Sequence, residues 1–198
     1  MKIVLASASP RRAKILESLG IDFETIKTGA SEISLDGDPE RTVRENALSK
    51  GAAAKGRRHV LSADTIVWFD GRIYGKPRDF DEAKRFLHEL SGKTHSVFTG
   101  VAFDGKAKVV RSDVKFKDLD EKTIEEYVAR IRPLDRAGAY DIDVRGDRLV
   151  ERIRGARSCV MGLPAAPVRD WLRSRGFSAP GGFDESFPPG ENPPGRLC

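Results

Sequence analysis

The sequence predicts an α/β protein with a mixed β-sheet, and three patterns support that class. Residues 3–6 form a short apolar run that ends at Ser7-Ala8-Ser9-Pro10, as expected for a strand leading into a helix. Asp70-Gly71 and Asp104-Gly105 each separate apolar stretches and predict antiparallel hairpins. Because a strand–helix unit and hairpins occur in one chain with further helical segments, the sheet is expected to be mixed, not strictly parallel.

The composition limits the function classes. The chain has 198 residues, enough for one domain with a core, and no apolar run approaches a membrane span. We expect no signal peptide. The net charge of +5 favours an anionic partner, and nucleic acid, nucleotides and acidic membranes all fit. The cysteines, Cys159 and Cys198, are far apart, and the histidines lack metal-ligand spacing. We therefore predict no disulfide, no zinc site and a cytoplasmic location.

The first helix carries an anion-site pattern. Ser9 suits the N-cap and Pro10 the first helical position, while Gly20 suits the position after the last turn. Arg11 and Arg12 follow in the first turn, where arginine is unfavourable against the helix dipole. Backbone N–H groups, serine hydroxyls and guanidinium groups therefore converge on one point, which suits phosphate. The alternative is that both arginines are solvated surface residues.

The second helix is predicted to begin at Asp38-Pro39, after a polar loop that carries Glu32. Small residues recur along it at helical spacing and would allow close packing. Lys50 lies at the edge of this stripe, and the alternative for it is an ordinary surface lysine.

The apolar run 60–69 predicts a central strand covered on both faces, and Asp64 and Thr65 interrupt it. A buried aspartate is unfavourable unless it is paired, hydrogen-bonded or bound to metal. We therefore predict a catalytic or metal-binding role for Asp64, the alternative being an aspartate satisfied by backbone donors.

The rest of the chain predicts further helices and strands and then a tail. Lys76 precedes Pro77, which holds it in extended chain. Helices are expected after Asp79, after Asp120 and from Pro164 to Arg175. Residues 177–198 are rich in proline and glycine, and we expect a disordered tail without a catalytic role.

An ordered set of short motifs resembles the Maf family of nucleoside triphosphate pyrophosphatases. The resemblance covers Lys2 to about Gly176, so residues 1–176 are predicted to be the Maf-like domain. Each motif alone is weak, but the ordered set is specific. The motifs are Ser7-Ala8-Ser9-Pro10-Arg11-Arg12, Glu32, Ala47 with Lys50, Ala63-Asp64-Thr65, Gly75-Lys76-Pro77, Ser91-Gly92, Thr99-Gly100-Val101, Ala137-Gly138-Ala139-Tyr140 and Gly162-Leu163-Pro164.

The resemblance implies a fold, a reaction and a site. The fold is an elongated, two-lobed (ITPase-like) α/β architecture with a central cleft, and the reaction releases pyrophosphate from a nucleoside triphosphate. Asp64 is expected to be the catalytic base and to hold Mg²⁺ or Mn²⁺ together with Glu32. The expected substrate-binding residues are Ser7, Arg11, Arg12, Lys50, Thr65, Lys76 and Asp143.

The resemblance also bears on the base. Family members that favour dTTP and UTP carry the residues found here as Arg11 and Thr65. They have glutamine where this chain has Asp143, and Asp141 replaces their usual glycine. An acidic residue at position 143 is typical of relatives that hydrolyse 7-methyl-GTP. Two of three positions therefore favour dTTP and UTP, with 7-methyl-GTP as the alternative.

Two other function classes were weighed. A nucleic-acid-binding module fits the basic charge, but the cations are scattered and not interleaved with aromatic residues, so no stable nucleic-acid partner is expected. The other alternative, an association of the Maf name, is a regulator of cell division that binds nucleotide without turnover. No membrane partner is expected, and a homodimer is expected only because family members often dimerise.

Overall fold

The computed structural model describes residues 2–35 and 37–187, which form a seven-stranded sheet with helices packed against it. The predicted α/β class with a mixed sheet is confirmed. The strands are β1 (Ile3–Ala6), β2 (Phe23–Ile26), β3 (Val60–Phe69), β4 (Arg72–Tyr74), β5 (Thr94–Phe103), β6 (Lys106–Phe116) and β7 (Val150–Arg154). The helices are α1 (Pro10–Ser18), α2 (Pro39–Ala52), α3 (Phe80–Leu90), α4 (Glu121–Ile131), α5 (Gly146–Leu149), α6 (Arg157–Val160) and α7 (Ala165–Arg173), with a 3₁₀ turn at Ala137–Ala139.

The sheet combines a parallel and an antiparallel half. Its order is β2-β1-β3-β5-β6-β7, with β4 paired to β3. Strand β1 runs parallel to β2 and β3, whereas β5, β6 and β7 each run antiparallel to their neighbours. Both predicted hairpins are confirmed, because Asp70-Gly71 and Asp104-Gly105 have positive φ at both turn residues. In the described part of the chain, no helix is both long and apolar enough to cross a bilayer.

Strand β3 is central, and one of its edges is only partly covered. On one edge it pairs with β5 from Leu61 to Trp68. On the other it pairs with β1 at Val60 and Leu61, and with β4 from Val67 to Phe69. Among the described residues, 62–66 therefore have no strand partner on this second edge. This gap opens the middle of β3 to a ligand.

The two faces of β3 pack against different helices. Leu61, Ala63 and Val67 belong to the main hydrophobic core, together with residues of α1, α3, α4 and α7. Ile66 points to the opposite face, where it packs with Val43 of α2. Helix α2 comes very close to the sheet there: a Cβ at Gly100 would lie 2.2 Å from the carbonyl oxygen of Val43.

The chain stays against the domain beyond α7. Phe177 and Ala179 are buried, and the Phe177 ring centroid lies 5.6 Å from that of Phe103. The Gly181 N–H donates to the carbonyl of Leu19 at 3.0 Å. The composition predicts a disordered tail from residue 177. Residues 177–187 instead pack on the domain, because the apolar side chains of Phe177 and Ala179 are buried against it. The rest of the predicted tail, 188–198, lies outside the described residues.

Candidate functional site

A cleft of about 610 Å³ lies along the open edge of β3, and residues from both faces of this strand line it. The last residues of β1, the start of α1, one side of α2 and the loop after the 3₁₀ turn form its other walls. Eight of the nine residues singled out from the sequence are on the cleft wall: Ser7, Arg11, Arg12, Glu32, Lys50, Asp64, Thr65 and Lys76.

The start of α1 lies on the cleft wall and has no side-chain cap among the described residues. Ser9 is the N-cap residue, as predicted, but its side chain makes no capping hydrogen bond, and no acidic residue occupies the first turn. The Ser9 N–H instead donates to the hydroxyl of Ser7 at 3.2 Å. A helix start without its own acceptor is a favourable place for an anion, because N–H groups and the helix dipole point at it.

Arg12 fixes three parts of the cleft wall. Its Nε donates to the carbonyl of Gly162 at 2.8 Å, Nη1 to the Ser7 hydroxyl at 3.1 Å and Nη2 to the Thr65 hydroxyl at 3.2 Å. Burial lowers the pKa of Arg12 to about 10, although the charge of Asp64 opposes this shift. The guanidinium therefore remains protonated at neutral pH and supplies positive charge inside the cleft.

Thr65 is the middle of a short hydrogen-bond chain. Its hydroxyl oxygen accepts from Arg12 and lies 3.0 Å from the Thr99 hydroxyl. Thr99 donates its only hydroxyl proton to the carbonyl of Cys159 at 2.8 Å. Thr65 must therefore be the donor toward Thr99. These hydrogen bonds fix the orientation of the Thr65 hydroxyl group.

Asp64 lies on the face of β3 that meets α2. Its Oδ1 accepts from Nζ of Lys50 at 2.5 Å, and its Oδ2 accepts from Nδ2 of Asn46 at 2.9 Å. Asp64 is 5 % exposed, so this pairing is what makes its burial tolerable. The donors are side chains of α2, not the backbone groups that the alternative interpretation invoked.

Lys50 also contacts Glu32. Its Nζ lies 2.7 Å from Oε1 of Glu32, so the ammonium group stands between two carboxylates. Partial burial favours the neutral form of Glu32, but the hydrogen bond and charge of Lys50 outweigh it and lower the pKa of this carboxyl. Lys76 and Arg12 add to the lowering. Glu32 is thus held as an anion at neutral pH.

The donor set fits a hard divalent cation. Carboxylate oxygens of Glu32 and Asp64 both contact the Lys50 ammonium group, so a positive charge is stabilised between them. Within the described residues, no group of three or more His, Cys, Asp or Glu forms a complete protein cage for a metal. Mg²⁺ does not require one, because it usually retains waters and takes phosphate oxygens beside one or two carboxylates.

A third charged cluster faces the cleft, and the sequence did not predict that its members would come together. Oδ2 of Asp141 lies 3.3 Å from Nη1 of Arg11 and 2.7 Å from Nε of Arg136. Arg136 also pairs with Asp135. All four residues line the cleft.

By resemblance, Asp143 is the ninth residue expected to bind the substrate. Asp143 does not line the cleft; its carboxylate pairs with Lys14 at 2.5 Å and with Arg157. These two cations hold it away from the cleft, and the carboxylate that faces the cleft is that of Asp141.

Other residues that line the cleft were difficult or impossible to recognise from the sequence. Asn46 precedes Lys50 by four residues and therefore shares its helix face, which was the available signal. Arg136 and Asp141 lie in irregular chain without periodicity, so nothing indicated that they meet. Burial raises the pKa of the Cys159 thiol to about 11, which agrees with the absence of a nucleophilic role for it.

Together, an open helix start, converging cations and paired carboxylates in an α/β cleft define a protein built to bind a polyphosphate. Comparison with known families narrows this class. The model of the family described as Maf-like protein matches residues 2–175, and the chain belongs to the Maf family.

Curated relatives cover most of the chain. A protein of Thermosipho africanus named dTTP/UTP pyrophosphatase is 43% identical over 181 residues, 89% of this chain and 95% of the relative. The protein of that name from Thermotoga maritima is 44% identical over 186 residues, 89% of this chain and 91% of the relative. One from Bacillus cereus strain B4264 is 44% identical over 173 residues, 83% of this chain and 91% of the relative.

Proposed function

We propose that this protein hydrolyses dTTP and UTP to the nucleoside monophosphate and pyrophosphate. The observation that carries the proposal is Asp64, a buried carboxylate in the part of β3 that has no strand partner on one edge among the described residues. It stands beside the cations and the open helix start that a triphosphate requires. The names of relatives at 43% and 44% identity agree with this reaction.

The catalytic step assigned to Asp64 is general base catalysis. A water hydrogen-bonded to its carboxylate would lose a proton to it and attack the α-phosphorus, and pyrophosphate would leave. Lys50 and Asn46 hold the carboxylate in one orientation on the cleft wall. Cys159 is buried and protonated, which supports direct attack by water over a covalent intermediate.

The cations are assigned to the triphosphate chain. Arg12 and Lys50 lie on the cleft wall with fixed partners, whereas Lys76 lines the cleft as an exposed residue. Their charges oppose the build-up of negative charge on the departing pyrophosphate. A divalent ion such as Mg²⁺ or Mn²⁺, held by Glu32 and Asp64, would when bound supply Lewis-acid stabilisation of the phosphate oxygens.

The choice of dTTP and UTP over 7-methyl-GTP gains support from the placement of Asp143. Its acidity was the argument for a guanine nucleotide, and its carboxylate is paired outside the cleft. Arg11 and Thr65, which favour dTTP and UTP by resemblance, both line the cleft.

A nucleotide panel tests the proposal. The purified full chain is assayed with Mg²⁺ against dTTP, UTP, dCTP, GTP and 7-methyl-GTP, with detection of pyrophosphate and of the monophosphate. We expect kcat/KM for dTTP and UTP to exceed that for 7-methyl-GTP by about tenfold or more, which corresponds to about 1.4 kcal/mol. Release of inorganic phosphate without pyrophosphate, no turnover of any nucleotide, or a tenfold preference for 7-methyl-GTP would contradict it.

A further inference from the structure

The charged residues of the cleft divide into two groups of different net charge. The first group contains two more cations than carboxylates, which suits a polyanion: Arg12, Lys27, Lys50 and Lys76 with Glu32 and Asp64. The second group is electroneutral, with two guanidinium groups paired to two carboxylates: Arg11, Arg136, Asp135 and Asp141. A triphosphate is attracted to the first group, and an uncharged part of the substrate is left for the second.

Asp141 has no accepting capacity left for a ligand. Its Oδ2 accepts from Arg11 and from Arg136, at 3.3 and 2.7 Å. Its Oδ1 accepts from the backbone N–H groups of Asp143 and Val144, at 2.8 and 3.2 Å. A carboxylate has about four acceptor positions, and these four donors occupy them. With a side chain only 2% exposed, Asp141 acts on a ligand through the two guanidinium groups that it holds.

The cluster therefore presents hydrogen-bond donors without net charge. Of the five N–H groups of a guanidinium, those of Arg11 and Arg136 that are not bonded to Asp141 or Asp135 remain for a ligand. Such a surface matches carbonyl oxygens on a neutral ring. Uracil and thymine carry two carbonyl groups, cytosine replaces one of them by an amino group, and adenine has none.

We propose that Asp141 and Arg136 determine base specificity: Asp141 is a positioning residue that holds Arg136 beside Arg11 so that both donate to the carbonyl edge of uracil or thymine. The inference rests on the proposed function for the identity of the substrate as a pyrimidine nucleotide. It also explains why acidic residues in this loop are compatible with a dioxopyrimidine, since the Asp141 carboxylate is saturated by protein donors.

Calorimetric titrations at 0.15 M salt test the proposal, with dTMP, dCMP and inorganic pyrophosphate as probes. The variants are Asp141→Asn, which keeps the volume but removes the charge, and Arg136→Met, which removes the donors. The matched control is Asp113→Asn, because Asp113 also pairs with an arginine, Arg111, but lies outside the cleft. Melting temperatures establish whether each variant is folded. If Asp141→Asn does not fold, the result for Arg136→Met decides the outcome.

In both variants we expect dTMP to bind about tenfold more weakly, as loss of one charge-assisted hydrogen bond would cause. The preference for dTMP over dCMP should largely disappear, while pyrophosphate affinity changes by less than about twofold at this screening. The control should match the wild type. Unchanged dTMP affinity or dTMP/dCMP preference would overturn the proposal, as would an equal loss of pyrophosphate binding. Absence of turnover in the wild type contradicts the proposed function alone, because these titrations do not depend on catalysis.

Discussion

The ammonium nitrogen of Lys50 lies 2.5 Å from Oδ1 of Asp64, and the same nitrogen lies 2.7 Å from Oε1 of Glu32. One cation thus neutralises part of the charge of two carboxylates in the absence of substrate. If a divalent ion bound the same oxygens, as proposed above, it would compete with this ammonium group, and the lysine would be available to the phosphate chain. Under that proposal, the same residue would stabilise the empty cleft and bind the loaded one.

Replacement of Asp64 by asparagine should abolish most activity without unfolding the protein. The change removes the base and one of the two carboxylates, and we expect turnover of dTTP to fall about 100-fold or more. The amide keeps the volume, and its oxygen can still accept from Asn46. Steady-state kinetics and thermal melting measure the two effects, with Asp113→Asn as a control of equal charge change. Near-normal turnover in Asp64→Asn would exclude the role of this residue as base.

Arg12 and Lys76 should respond differently to substitution. Arg12→Lys cannot reproduce the hydrogen bonds to Gly162, Ser7 and Thr65, so the free energy of unfolding should fall by about 1–3 kcal/mol along with activity. Lys76 is exposed and makes no ion pair with the residues that the structure describes. Lys76→Ala should leave the free energy of unfolding within about 0.5 kcal/mol of the wild type, yet reduce kcat/KM for dTTP.

Urea unfolding and kinetics on both variants distinguish the two roles. If Lys76→Ala lost stability and activity together, a structural role for this lysine would replace the substrate-binding role. If Arg12→Lys kept full stability, the three hydrogen bonds of Arg12 would not hold the cleft wall as described.

The sequence predicted which segments line the cleft, but not every pairing between their side chains. The reason differs from residue to residue. Asp64 was recognisable because a charge inside an apolar strand is exceptional by itself. Arg11 and Arg12 were recognisable from their position at a helix start. The Asp141 cluster was not, because its members come together through loop conformation. The pairing of Asp143 with Lys14 and Arg157 was not recognisable, because these partners are distant in sequence and carry no local signal.

The packing of residues 177–187 predicts that truncation after Gly176 destabilises the protein. This truncation removes Phe177 and Ala179 from buried positions and the bonds from Ser158 to the Glu185 carboxylate. We expect the free energy of unfolding to fall by roughly 3 kcal/mol or more, as for loss of a buried phenylalanine. Phe177→Ala should reproduce most of the effect, and Ser178→Ala, at an exposed neighbour, should not. A truncated protein of wild-type stability in urea would contradict this.

His95 should make the protein less stable in acid. It is 2 % exposed on β5, and burial lowers its pKa from 6.5 to about 3, against the smaller opposing effect of Asp113. Between these values the unfolded chain binds a proton that the folded protein does not. Its contribution to stability is therefore complete above pH 6.5 and is lost as the pH falls toward the folded pKa, with a slope approaching about 1.4 kcal/mol per pH unit.

Urea unfolding between about pH 7 and about pH 4.5 measures this slope. This range begins above the ordinary histidine pKa of about 6.5 and extends well below it. His95→Gln should flatten the dependence, because the proton-binding group is removed. His88→Gln is measured alongside for comparison, since His88 is exposed and pairs with Glu121 at the surface. Parallel slopes for wild type and His95→Gln would show that other groups cause the acid sensitivity.

Successive side chains of β3 point to opposite faces of the sheet, and this limits where the chain can accept an insertion or a deletion. Asp64 meets α2 and Thr65 meets α1 only because eight residue pairs, Leu61–Trp68 against β5, fix the register. A deletion or insertion of one residue inside β3 would turn the carboxylate toward α1 and the hydroxyl toward α2. Length changes are therefore excluded within this strand, whereas the hairpin turn at Asp70-Gly71 can absorb them without moving either group.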